Sequence, residues 1–408
     1  MGLLVCALCA PRVGATNGLE PIGVGQNAIS RGGVDVAVGD TAFSQISNPA
    51  TLSFRLEREL DLGVQCILPR IRFRNALNQD DSRLDHIEIP CFALAIPVND
   101  RFSWGFAVHG RAGLATDFRF RYLYPPLMKH RHTSALTVPG FVLSAAWKLN
   151  ERLSLGAGVR AEIMMLDLNA ALGPVNLEID KALGFGFGFQ VGGTYRATDR
   201  LTLAAAYHSP TWFGDVRSDE LTGELFPLRF PLGGGAVVRP RLPQKIILGA
   251  SYDITQRWKV MGEARWVNYG NSFLHDGALS TDLLDVGVPL NHMYRDVWVF
   301  AVGSEYRLTD EWTLSGGYNF GNSPARGTHL LPGTAAGIVE HHLTAGLRYD
   351  KGKWFVGVGW VRAFRKTLSG EGPGRLPIDA LPIARDYGAG SSVSHSQDSI
   401  VVSLGFRF

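Results

Sequence analysis

No apolar run in the 408 residues approaches the ~18 needed to cross a bilayer as a helix. The net charge is only +3 and no basic block stands out, which argues against a nucleic-acid partner. Of the four cysteines, Cys6 and Cys9 form a C-x-x-C, but a redox motif of that kind needs a strand-to-helix setting. There is no G-x-S-x-G, no H-E-x-x-H and no P-loop. The glycine-rich run Gly184–Phe189 alternates as a strand and opens no helix, so it is no phosphate loop. His341 and His342 face opposite ways on a strand, which is poor for sharing a metal. No catalytic residue, metal site or cofactor is assigned. No linker or composition break divides the chain either.

What is present falls into three stretches. Residues 1–15 hold a short apolar core ending in small residues and read as a secretory signal remnant, without the basic n-region, cleaved after Ala15. Residues 16–54 are rich in glycine and alanine, carry few charges and keep no period of 3.6 or 2. They end near Asn48-Pro49-Ala50, where the residue before proline is biased away from helix and a turn is expected. Residues 55–408 alternate as strands to the last residue. An irregular small-residue segment ahead of such an array suggests a plug in the mouth of a barrel.

Fourteen strand candidates follow. The first covers Glu57–Leu68, the fourth Thr137–Leu149, the sixth centres on Phe185–Gly192 and the last spans Ser399–Phe408. Short turns, such as Asn99-Asp100 and Asn150-Glu151, alternate with long connections, the longest near Ser209–Pro243 and Arg362–Gln397. Outer-membrane barrels show this parity, with short turns in the periplasm and long loops outside. Closure also leaves no unpaired edge in lipid. The expected fold is an all-β transmembrane antiparallel barrel of about 14 strands with an N-terminal periplasmic plug.

The faces agree. One face of most strands is apolar and ends near aromatics such as Trp147, Trp258, Trp298, Trp312 and Trp360, as interfacial girdles require. The other carries Arg160, Glu162, Glu263, Arg265, Glu305 and Arg348, charges that belong in a lumen. Cys66 and Cys91 both fall on apolar faces, where two inert lipid-facing thiols are a simpler reading than a cross-strand disulfide.

The run Gly23–Phe54 closing on Asn48-Pro49-Ala50, with Leu242–Gly270 and Val302–Ala325, resembles the FadL/TodX family of outer-membrane transporters. The terminal Phe408 resembles the signal read by outer-membrane insertion machinery. The resemblance implies passive transport of long-chain fatty acids or other hydrophobic small molecules, aromatic hydrocarbons included, without ATP or cofactor. It also implies that a hatch shift opens the path and that Asn48, Pro49 and Ala50 anchor the hatch to the wall. The expected partners are the hydrophobic ligand and outer-membrane lipid, the protein itself being a monomer.

A ligand leaving water needs apolar loop residues. Trp212, Phe213, Leu225, Phe226, Leu228 and Phe230 in the seventh-to-eighth connection supply them, as do Leu114, Phe118, Phe120, Tyr122, Leu123 and Tyr124 in the third-to-fourth. These aromatics can equally pack the loops together. A fatty-acid carboxylate needs a lumen cation, for which Arg160, Arg265 and Arg348 are candidates. The same arginines can instead pair with Glu162, Glu263 and Glu305 in a structural lattice. Two rival functions stay open: a structural or adhesive barrel, and a membrane lipid hydrolase using Ser209 beside His208.

Overall fold

The computed structural model describes residues 17–121, 129–172, 175–219, 221–225, 228–231, 233–281, 288–289, 293–330, 337–372 and 388–408. Residues 1–15, read as the signal segment, lie outside it. Fourteen long strands form the wall: β1 (Glu59–Arg74), β2 (Ile87–Pro97), β3 (Phe102–Arg121), β4 (Lys129–Lys148), β5 (Leu153–Leu172), β6 (Val175–Arg196) and β7 (Leu201–His208), then β8 (Lys245–Asp253), β9 (Trp258–Val267), β10 (Val297–Arg307), β11 (Trp312–Gly321), β12 (His341–Asp350), β13 (Trp354–Ser369) and β14 (Ser392–Arg407). Each pairs antiparallel with its neighbours, and β1 closes on β14 from Glu59↔Arg407 to Arg74↔Ser392. The six short turns fall where expected and most connections at the other end are long, but β5 and β6 run on until only residues 173–174 separate them, which corrects the long connection expected there.

Alternation along the strands sets the two surfaces. On β6, Phe185, Phe187 and Phe189 point outward, Phe187 being 66% exposed, while Gln190 between Phe189 and Val191 is buried in the lumen. A wall of exposed large apolar side chains is stable only against lipid. Trp147, Trp258, Trp298, Trp312, Trp354 and Trp360 all stand on this outer surface.

Several strands run further outward than alternation alone indicated. β1 continues from Leu68 to Arg74, β4 begins at Lys129 rather than Thr137, β6 begins at Val175, and β13 and β14 extend to Ser369 and back from Ser392. The reason is a reversal of phase. Below, Leu68 faces out and Gln65 faces in; above, Arg70, Arg72 and Arg74 face out while Ile71 and Phe73 are buried inside. Each half alternates, but the apolar face changes sides, so a single-phase reading stops at Leu68. The long connection after β7 likewise contains short strands, among them Thr211–Phe213 and Val216–Ser218, laid against β6.

The two cysteines correct the expectation that both thiols face lipid. Cys66 faces out, opposite Glu88, whereas Cys91 faces the lumen, opposite Gly63, and both are free. On β2 both faces are apolar, Ile89, Ala93 and Ala95 within and Phe92, Leu94 and Ile96 without, so alternation could not assign its sides.

The hatch fills the lumen. It comprises helix α1 (Gly25–Ser30) and two 3-10 turns, Ala42–Ile46 and Pro49–Phe54, and nearly all of it is buried. Wall glycines make the room. A Cβ at Gly317 of β11 would lie 2.3 Å from the Arg31 carbonyl carbon, and one at Gly357 of β13 would lie 2.1 Å from Gln26 Oε1.

Candidate functional site: the hatch and the lumen above it

Asn48-Pro49-Ala50 seats the hatch on β5 and β6. Extended backbone at Asn48 and proline at the next position start the 3-10 turn, and Asn48 Oδ1 accepts from Ala50 N at 3.0 Å. Asn48 Nδ2 donates to Val36 O within the hatch at 2.9 Å and to Gly193 O of β6 at 3.3 Å. The wall admits the motif because Gly156 and Gly192 lack side chains: a Cβ there would fall 2.4 Å from Ala50 N and 2.1 Å from Asn48 Oδ1.

A second tether centres on Arg31, which is fully buried. Its guanidinium binds Asp40 with two bonds, at 2.9 and 2.8 Å, Asp35 at 2.7 Å and Glu305 of β10 at 2.8 Å. Glu263 of β9 accepts from Asp35 N at 2.9 Å and Val36 N at 3.0 Å. Such charge-assisted bonds are the strong ones in a water-poor interior. Arg31 sits in the small-residue run with no alternation around it, so only its isolation among uncharged neighbours could have singled it out.

The three lumen arginines do not converge. Arg160 lies 3.2 Å from Glu162 and donates to Ser209 O at 2.7 Å. Arg265 pairs with Glu263 and donates to Ile22 O at 2.8 Å and to Gly33 O. Arg348 pairs with Asp350 at 2.6 Å, and Glu305 pairs with Arg31 rather than with Arg348. Arg348 borders a chamber of about 690 Å³ on the short-turn side of the hatch, with Asp40, Glu59, Glu305 and Arg407.

Residues 17–20 form a strap above α1. Leu19 N donates to the Tyr269 hydroxyl at 2.8 Å, that hydroxyl to Asn17 O at 3.1 Å, and Gly113 N of β3 to Leu19 O at 2.9 Å. Glu20 sits between Arg111 of β3 and Lys245 of β8, the latter at 2.9 Å. Burial alone would raise the Glu20 carboxyl, but these two cations hold it well below the usual carboxylate range. Arg111 escaped notice because a bulge at Gly110/Ala112 breaks the alternation around it.

Above the strap the lumen lining turns apolar. Phe73, Leu114, Phe118, Leu136, Phe213 and Tyr294 belong to one buried cluster that also reaches Leu19 of the strap. Leu114, Phe118 and Phe120, expected in a loop, are strand residues of β3 pointing inward. Phe213 is 5% exposed and Trp212, its neighbour, 52% exposed. Their strand pairs with Gly186 and Phe187 of β6, so the two side chains face opposite sides of the wall. Phe226, with Tyr122, Leu123 and Tyr124, lies outside the described residues; Phe230 pairs with Gly223 through its backbone, and its side chain lies outside them too.

Among the described residues, the ladder between β2 and β3 is incomplete beside this cluster. β2 pairs with β3 only from Phe92↔Val108 to Pro97↔Ser103. Ile87–Cys91 stays on β1 but has no ladder to β3, whose residues 109–116 are buried on both faces and bend toward the strap.

Residues 31–339 match the family described as outer membrane protein transport protein (OMPP1/FadL/TodX). A 47 kDa outer membrane protein of Pasteurella multocida (strain Pm70) is 24% identical over 332 residues, 71% of this chain and 74% of that one. The fold is that of the Pseudomonas putida toluene transporter TodX (TM-score 0.80, 20% identity, 95% of this chain and 99% of that one). A Pseudomonas aeruginosa FadL homologue is also similar (TM-score 0.75, 17% identity, 98% and 100% covered). The chain belongs to the OMPP1/FadL/TodX family of outer membrane transport proteins, and its place is the outer membrane.

Proposed function

We propose that the protein, as a monomer, carries uncharged or weakly polar hydrophobic molecules, aromatic hydrocarbons before fatty acids, passively through the barrel. The observation that carries this reading is the change of lining at the strap: a cluster of buried apolar side chains above, a charged and hydrogen-bonded hatch below. A hydrophobic solute gains about 25 cal/mol for each Å² taken out of water, so side chains of this kind, parting to admit it, take it up without energy input. Residues 16–54 then act as the movable element and residues 55–408 as the frame. Asn48-Pro49-Ala50 is the fixed end of that element, and the strap the end that yields.

The interrupted ladder between β2 and β3 offers such a solute a sideways exit into lipid, which costs it less than the polar chamber below. Phe213 contributes to the apolar cluster inside, and Trp212, Phe226 and Phe230 are the residues proposed to take up solute from outside. For Arg160, Arg265 and Arg348 the carboxylates already beside them support a structural lattice over a ligand site. A hydrolytic role finds little support: Ser209 Oγ donates to Pro210 O at 2.7 Å and His208 Nε2 faces Ser47 O at 3.0 Å.

The test is binding of labelled toluene and labelled oleate to the purified protein in detergent. Saturable toluene binding that weakens when Phe213 is replaced by alanine supports the proposal. Binding of oleate alone, lost in Arg160→Gln or Arg265→Gln, would replace it with an anionic ligand held by those arginines. No binding of either, with the barrel intact, would favour the adhesive barrel.

A further inference from the structure

The outward face of β1 changes character in one step. Val64, Cys66 and Leu68 face lipid, and the next three residues on that face are Arg70, Arg72 and Arg74. The side chains of Arg70 and Arg72 are 60% and 51% exposed. At ~3.3 Å per residue they climb from about 7 to about 20 Å beyond Leu68. This is the end of the barrel bearing the long connections, which faces the exterior.

Two neighbouring strands continue the patch. On β3, Arg119 and Arg121 are exposed on the outward face. On β4, Arg131 is 56% exposed and stands directly opposite Arg119 in the ladder. Like charges placed opposite each other destabilise a sheet, and an anion between them removes the penalty. The hairpin between β1 and β2 joins the strands into one surface. Asn78 Nδ2 donates to Arg121 O at 2.9 Å, and Arg121 N and Arg119 N donate to Asn78 Oδ1 at 2.6 Å and Asp80 Oδ2 at 2.7 Å.

Carboxylates satisfy only part of this charge. Arg72 pairs with Asp81 at 2.6 Å and Arg131 with Asp117 at 2.9 Å, and Arg70 shares Asp398 with Arg362, at 3.2 and 2.6 Å. Among the described residues, the guanidinium groups of Arg74, Arg119 and Arg121 have no carboxylate within ion-pair distance. Arginine forks match phosphate oxygens two at a time.

We propose that Arg70, Arg72, Arg74, Arg119, Arg121 and Arg131 form a docking surface for the phosphate groups of lipid in the outward-facing leaflet. The source is lipid rather than a free anion because the arginines continue the lipid-facing column of the same strand. Acyl chains lying on Val64 and Leu68 place a phosphorylated headgroup beside Arg70 to Arg74.

The test uses the full chain in neutral detergent, with native mass spectrometry of bound lipid. The probes are a diphosphorylated lipid A and the same lipid with its phosphates removed. The wild type is expected to prefer the phosphorylated form at least about tenfold, given the attraction of each basic side chain for anionic lipid. Combined Arg74→Gln, Arg119→Gln and Arg121→Gln substitutions are expected to erase that preference. Equal binding of the two lipids by the wild type would overturn the proposal, as would an unchanged preference in the triple variant. Complete displacement of the lipid by millimolar inorganic phosphate would overturn it too, leaving only a general anion site. Should the triple variant not assemble, the wild-type lipid comparison and the phosphate competition decide.

Discussion

Arg31 Nη1 of the hatch and Glu305 Oε1 of β10 lie 2.8 Å apart, and the Arg31 side chain is closed off from solvent. One guanidinium thus ties two hatch carboxylates to the wall. Arg31→Met leaves Asp35, Asp40 and Glu305 without their shared cation, and removing one partner of a buried ionic group costs about 3–5 kcal/mol. Hydrogen exchange over residues 25–46 is expected to rise steeply in this variant, while exchange in the β12–β14 wall changes little.

The seat of the hatch depends on missing side chains. Gly156→Val places carbon 2.4 Å from Ala50 N, an overpacking error that typically costs about 1–3 kcal/mol. The variant is expected to insert normally but to show raised ion conductance in planar bilayers, because the hatch no longer closes. Gly262→Ala is the control: a Cβ there meets nothing nearer than 3.8 Å, and conductance is expected to stay at the wild-type level.

Acid should release the strap before it harms the barrel. The Glu20 carboxyl is held below its unfolded value, near 4.3, by Arg111 and Lys245. Its contribution is therefore complete above about pH 4.3 and is lost as pH falls below that value toward its lowered one. Protection at Leu19 and Glu20, taken as exchange relative to its intrinsic rate at each pH, is expected to be high at neutral pH and lower at the acid end. In Glu20→Gln the strap is expected to be loose at both, which would separate this carboxylate from general acid damage.

The two cysteines report which side of the wall each strand face occupies. Cys66, facing lipid where the thiolate does not form, is expected to resist a water-soluble maleimide in intact membranes, and Cys91, packed beside the hatch, to react with it only after the hatch is loosened by Arg31→Met. A disulfide-shifted band on a non-reducing gel would contradict the placement of Cys66 and Cys91 on opposite faces.

Much of this architecture could be read from the chain. The alternation of Phe185, Phe187 and Phe189 with small residues gave the lipid face, and the regular exchange of short and long connections gave the closed, even-stranded barrel. Three things could not be read. The outer thirds of the strands reverse phase, as at Leu68 and Arg70, so they look like loops to a single-phase pattern. On β2 both faces are apolar, which hid the lumen position of Cys91. Contacts across the lumen, such as Arg31 with Glu305 or Glu20 with Lys245, join residues 274 and 225 positions apart, and no local pattern encodes them.

The most direct measurement is uptake of labelled toluene, and separately of labelled oleate, by proteoliposomes holding the wild type or Phe213→Ala, with no energy source supplied. Saturable toluene uptake by the wild type, reduced in Phe213→Ala, is the expected result for a passive path past the apolar cluster. Uptake no faster than in protein-free vesicles, with the hatch and barrel intact by hydrogen exchange, would contradict it.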